Sequence, residues 1–128
     1  MTGLSPTDLL AIHEVILQET KGSSGLRDPG LLESIASKPW ASFGGGYLYP
    51  DIFSKAAALY EAAINYHAFV DGNKRTAVAS LGLFLYRNGH DLTVTDQELE
   101  DFTVGIASSQ PDLADVAAWV KIHSKKLG

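Results

Sequence analysis

The segment NKRTAVASLGLFLYRNG, residues 73–89, decides the fold. From Ala77 to Tyr86 it is apolar on nearly every face of a helix, the pattern of a helix buried at the centre of a bundle. Gly89 stands where a helix from Asn73 to Asn88 needs a left-handed residue just past its end. The same apolar run is the longest in the chain. It falls far short of the about 20 residues that span a bilayer.

Working outward, each flanking segment also reads as helix. Asp51 opens a long helix to about His67, with Ile52, Ala56, Leu59 and Ala63 on one stripe and Phe53, Tyr60 and His67 beside it. Its alanines at 56, 57, 58, 62 and 63 favour helix and keep it thin for close packing. Ser5, Pro6 and Asp8 form a capping-box pattern before the Leu9, Ile12, Ile16 stripe, flanked by Leu10 and Leu17 and ending near Lys21-Gly22. Asp28-Pro29 opens a short helix through Leu31, Leu32 and Ile35 that closes before Pro39. Thr95 with Glu98 starts another through Leu99, Phe102, Val104 and Ile106. Pro111 starts the last, through Leu113, Val116, Ala117, Val120 and His123. Trp40 to Pro50, WASFGGGYLYP, is a loop or short hairpin, and Leu92 to Val94 a short extended piece. The expectation is an all-α fold, a compact bundle of about six helices around residues 73–88, with one Gly-rich flap and no convincing sheet.

Composition bounds the function. The 128 residues suit one domain, 1–128, with 45% hydrophobic and 20% charged residues as in ordinary globular chains. The absence of cysteine removes disulfides, thiolate metal sites and cysteine nucleophiles. Ten basic against 15 acidic residues, net −5, lack the footprint that direct nucleic-acid or anionic-membrane binding needs. The N-terminus has no basic region and carries Asp8 and Glu14, unlike a signal peptide. A cytoplasmic protein is expected.

The chemistry concentrates in HAFVDGNKR, residues 67–75. Lys74 and Arg75 fall in the first turn of the central helix, where the positive end of the macrodipole makes each cation cost about 0.3–1 kcal/mol. Two cations beside free backbone N–H groups describe an anion site, with phosphate the expected ligand. Gly72 permits the turn that aims those groups outward. Asn73 can cap the helix or donate to a phosphate oxygen. Asp71 is a hard carboxylate suited to Mg²⁺ shared with phosphates. His67, at the negative end of the preceding helix, is a candidate general base, and Phe69 an apolar anchor. Singly, a terminal His is a cap and Asp-Gly-Asn a turn. Together these groups are hard to explain as packing.

HAFVDGNKRTA resembles the signature of the Fic/Doc family, His-x-Phe-x-Asp/Glu-Gly-Asn-x-Arg. SSGLRDPGLLESIASKP and YPDIFSKAAALYEAAINYHAFVDGNKRTA are similar to its death-on-curing branch, so the resemblance covers nearly the whole chain. It implies a compact helical fold and nucleotide-dependent modification of a protein hydroxyl. In that reading His67 deprotonates the target Ser, Thr or Tyr, Asp71 holds Mg²⁺, Asn73 and Arg75 bind ATP phosphates around Gly72, and Phe69 anchors the loop. The flap residues Gly45, Tyr47 and Tyr49 would position the target.

Two departures choose the reaction. AMP-transferring members usually carry Gly where this chain has Lys74, and a second arginine where it has Val78. Death-on-curing toxins share both departures. They resemble kinases that move the γ-phosphate of ATP to a threonine of elongation factor Tu and that are held by a cognate antitoxin. The resemblance therefore implies a phosphotransferase toxin. AMP transfer is the alternative, and a non-catalytic nucleotide- or antitoxin-binding module the second. The family's self-inhibitory motif, Ser/Thr-x-x-x-Glu-Gly/Asn, is absent, since no Glu precedes Gly or Asn. Gly44-Gly45-Gly46 lacks the following Gly-Lys-Ser/Thr of a nucleotide loop. His13, His90 and His123 read as isolated surface or boundary residues without metal-ligand spacing, and Trp119 as core.

Overall fold

The computed structural model describes residues 1–22 and 25–128. Six helices carry it: α1 (Pro6–Thr20), α2 (Pro29–Ser37), α3 (Ile52–Asn65), α4 (Asn73–Arg87), α5 (Asp96–Ser109) and α6 (Leu113–Ile122). The N-terminal signals work as local chemistry requires. Ser5 and Asp8 close a reciprocal capping box on α1. Asp28 accepts from Gly30 N and Leu31 N at the start of α2, and Asp51 from Phe53 N and Ser54 N at the start of α3. At α5 only half of the expected box forms: Thr95 accepts from Glu98 N, while the Glu98 carboxylate accepts from the Thr95 hydroxyl.

One apolar core draws on all six helices, from Leu9 and Leu32 through Ile106 and Val120. α3 and α4 form its axis. Ala56, Ala57 and Ala58 are fully enclosed, and their small side chains let α4 approach and bury Ala77, Leu81, Phe84 and Leu85. Each large side chain so removed from water contributes roughly 1.5–3 kcal/mol. Tyr60 is enclosed too, and its hydroxyl donates to Thr103 Oγ1, which itself donates to Leu99 O at 2.7 Å. Burial pushes the Tyr60 phenol up to about 12.

Three expectations change. α4 is not buried all round: Val78 and Leu83 are half-buried where they pack against the core, and Tyr86 is exposed. α3 stops at Asn65, and His67 stands beyond it at φ 53°. Two small antiparallel sheets are present. β1 (Ser42–Phe43) and β2 (Gly46–Tyr47) give the flap the hairpin form, one of the two expected for it, with Gly44 and Gly45 at φ 61° and 86° as a tight two-residue turn demands. β3 (His90–Leu92) pairs with β4 (Ser124–Lys126), His90 opposite Lys126 and Leu92 opposite Ser124. Ser-Lys-Lys has no strand signal of its own. It becomes a strand because α6 delivers it to an edge. Among the described residues no helix is long and apolar enough to cross a membrane.

Candidate active site

The loop between α3 and α4 is built from its backbone outward. The residues before α2 lie along it: Leu26 bridges Phe69, Arg27 N and Asp28 N both donate to Ala68 O, and Val70 N donates to Gly25 O. Arg27 Nε donates to His67 O at 2.6 Å and its Nη2 to Tyr66 O at 3.2 Å. A guanidinium thereby closes the negative end of α3. It also holds His67 in the left-handed region, which costs a non-glycine residue roughly 1–2 kcal/mol. Lys38 donates to the Tyr66 hydroxyl at 3.1 Å, and this bond keeps its ammonium above the ordinary value.

Phe69 is 3% exposed and anchors the loop in the core. Asn73 neither caps α4 nor points its amide outward. Its Nδ2 donates to Phe69 O at 2.9 Å and its Oδ1 accepts from Phe69 N at 3.1 Å. The N-cap is Gly72, in the left-handed region at φ 80°, without a side-chain cap. The first helical bond of α4 is Thr76 N to Gly72 O, so the amides of Asn73, Lys74 and Arg75 have no acceptor within the helix.

His67, Asp71, Gly72, Asn73, Lys74 and Arg75 line one cavity of about 400 Å³ with Val70, Thr20 and Gly22. The sequence reading missed the last two: Thr20 ends α1 and Gly22 follows it. A Cβ on Gly22 would stand 2.8 Å from Asp71 Oδ2, so a side chain there would displace this carboxylate. Asp71 Oδ1 accepts from Gly72 N at 2.8 Å. The cavity holds an imidazole, one carboxylate, two cations and the positive end of a helix, a set suited to a phosphorylated ligand.

The flap is not part of this wall. Gly45, Tyr47 and Tyr49 are absent from the cavity lining. Tyr47 and Tyr49 rest on Lys55, which is wholly buried, donates to Tyr49 O and lies 4.1 Å from the Tyr47 ring centre and 5.3 Å from that of Trp40. His13, expected near the surface, is 5% exposed and packed behind the motif. It stacks on Phe69 at 3.7 Å, and its Nε2 meets Asp71 O at 2.7 Å. Only its place on the buried stripe of α1, one residue after Ile12, signals this. His90 and His123 are half-buried boundary residues, packed on Phe53 and Trp119. Trp119 stacks on Phe102 against the core.

Comparison with known proteins agrees with the loop. The sequence model of the Fic/DOC family matches residues 3–85. The protein kinase doc of Escherichia phage P1 is 37% identical over 118 residues, 91% of each chain. The toxin Doc of Mycolicibacterium smegmatis is 39% identical over 99 residues, 76% of each chain. With the motif loop complete and the match running through α4, the chain belongs to the Fic/DOC family.

Proposed function

We infer that this chain is the toxin of a toxin–antitoxin pair and transfers the γ-phosphate of ATP to a Ser or Thr hydroxyl of a translation factor similar to elongation factor Tu. One observation carries the reading: His67, Asp71 and the cationic N-terminus of α4 open onto a single cavity. The relatives' names, a protein kinase and a toxin, support the chemistry and the setting.

In the reaction His67 accepts the proton of the target hydroxyl. The oxygen so freed bonds to the γ-phosphorus, the bond to the bridging oxygen breaks, and its electron pair leaves with ADP. Lys74, Arg75 and the first-turn amides of α4 take up the negative charge, and such transfer is mostly positioning and charge stabilisation. Mg²⁺ fits the donor set: Asp71 supplies one hard carboxylate on the cavity wall, as an ion shared with phosphates requires. When bound, the ion neutralises phosphate charge. The flap, with Tyr47 and Phe43 exposed, docks the target chain outside the cavity. A cognate antitoxin is the second protein partner.

Lys74 and Val78 favour phosphate over AMP. A cation at 74 fills the mouth of the anion site, and an aliphatic group at 78, one turn along, removes the clamp AMP transfer uses. The test is ATP labelled separately at the γ and α positions, with a bacterial lysate and then the purified target, and the product weighed. Label from γ only, with a phosphate-sized gain, is expected. An AMP-sized gain makes the protein a nucleotidyltransferase. Transfer of neither label leaves a binding module.

A further inference from the structure

We propose that His13 is a positioning residue of the anion site: by donating its Nε2–H to the Asp71 carbonyl while stacked on Phe69, it sets the peptide plane from which the first turn of α4 faces the cavity. The inference deepens the proposed function and rests on its anion-site part.

A carbonyl oxygen only accepts, so the 2.7 Å contact requires the hydrogen on His13 Nε2. The N–H of the same peptide, on Gly72, donates to Asp71 Oδ1 at 2.8 Å. The Asp71–Gly72 peptide is thus gripped at both ends, by α1 on one side and by its own carboxylate on the other. Gly72 O continues the chain of constraint by accepting the first helical bond from Thr76 N at 2.9 Å. The orientation of one peptide therefore governs both the Asp71 carboxylate and the free amides of Asn73, Lys74 and Arg75.

The imidazole is itself held still. It lies on Phe69 with the ring planes 7° from parallel, and a Cβ at Gly72 would stand 3.6 Å from His13 Cδ2 and Nε2. Phe69 is in turn clasped by Asn73. His13, Phe69 and Asn73 thus form a closed strut from α1 through the loop to α4. An apolar side chain at 13 would fill the space and leave the turn without its outer hold. A buried stacked histidine with one donor aimed at the loop is more than filling.

The experiment compares His13→Phe, which keeps a ring on Phe69 and removes the donor, with His13→Gln, which restores a donor. His13→Met, of the same length as Gln without the donor, replaces Phe if that variant does not melt cooperatively. Pyrophosphate and Mg-ATP are titrated calorimetrically into the full chain, and phosphate transfer is measured. The expected result is a folded Phe or Met variant that binds pyrophosphate more weakly. Its kcat should fall on the order of 10- to 100-fold at unchanged KM for the protein target, and Gln should recover most of both. A folded Phe or Met variant that binds pyrophosphate as the wild type does overturns the inference, as does Gln no better than Met. Wild-type protein that binds pyrophosphate but transfers nothing defeats the proposed function alone, and the ranking of the variants on pyrophosphate still decides the role of His13. Binding of neither ligand by the wild type defeats both.

Discussion

The side chain of Asn73 clasps both backbone groups of Phe69, accepting from its N–H at 3.1 Å and donating to its carbonyl at 2.9 Å. Three residues separate the two, Val70, Asp71 and Gly72, and they form the turn that carries the carboxylate. Asn73→Ala frees both Phe69 groups in a half-buried place. Leaving a buried polar group unsatisfied costs about 1–3 kcal/mol. Thermal denaturation should register a loss of that order, and Mg-ATP affinity should fall with it. A variant of unchanged melting temperature and lower affinity would instead assign Asn73 directly to the phosphates.

His67→Ala should slow transfer by roughly 10²–10⁴-fold, the usual contribution of a general base. Its side chain lies on the cavity wall and its backbone is held by Arg27 through the carbonyl, so folding and Mg-ATP affinity should stay near wild type. Growth arrest by His67→Ala equal to that of the wild type removes it from the base role.

Gly22→Ala tests the placement of the Asp71 carboxylate from outside the motif. The added methyl would stand 2.8 Å from Oδ2, and the carboxylate, the end of a short side chain, is the part that gives way. Turnover should fall at least severalfold, with less effect at high Mg²⁺, while the melting temperature changes little. Turnover that ignores this substitution contradicts a role for Asp71 in the site.

Asp8 and Arg87 tie the start of α1 to the end of α4 at 2.9 Å. The Arg87 hydrogen bond first, and the Ser5 backbone N–H next, hold the Asp8 carboxyl at about 2 instead of 3.8. A lowered folded-state value means that the contribution is fully present above pH 3.8 and is lost as pH falls through about 2. Each side chain is about a third exposed, so the effect should be modest and shrink with salt. Asp8→Asn should lower stability at neutral pH and flatten the pH dependence of unfolding over that acid window.

Lys55→Met preserves length but removes the donor to Tyr49 O and the cation beneath Tyr47 and Trp40. A stability loss of about 1–3 kcal/mol is expected for the orphaned carbonyl. With the flap outside the cavity, kcat/KM for the protein target should fall severalfold while Mg-ATP affinity holds. Equal loss of both would mean that Lys55 supports the whole bundle and not the flap.

The amino-acid sequence by itself determined what depends on near neighbours. Caps at Ser5, Asp28 and Asp51, the left-handed Gly89 and the 3.6-residue stripes are decided within three or four positions, so all six helices and the motif at 67–75 were legible. The family resemblance lay in the same contiguous residues. The tertiary structure alone decided the meetings of residues far apart in the chain. His13 reaches Asp71 across 58 positions and Arg27 reaches His67 across 40. Ser124–Lys126 becomes a strand only when α6 lays it beside His90–Leu92. Lys55 is buried beneath Tyr47 and Trp40, eight and fifteen positions earlier in the chain. Local preference ranks conformations of a few residues. Which side chain fills a given space in the core depends on every element that walls that space, and no short stretch of sequence contains that information.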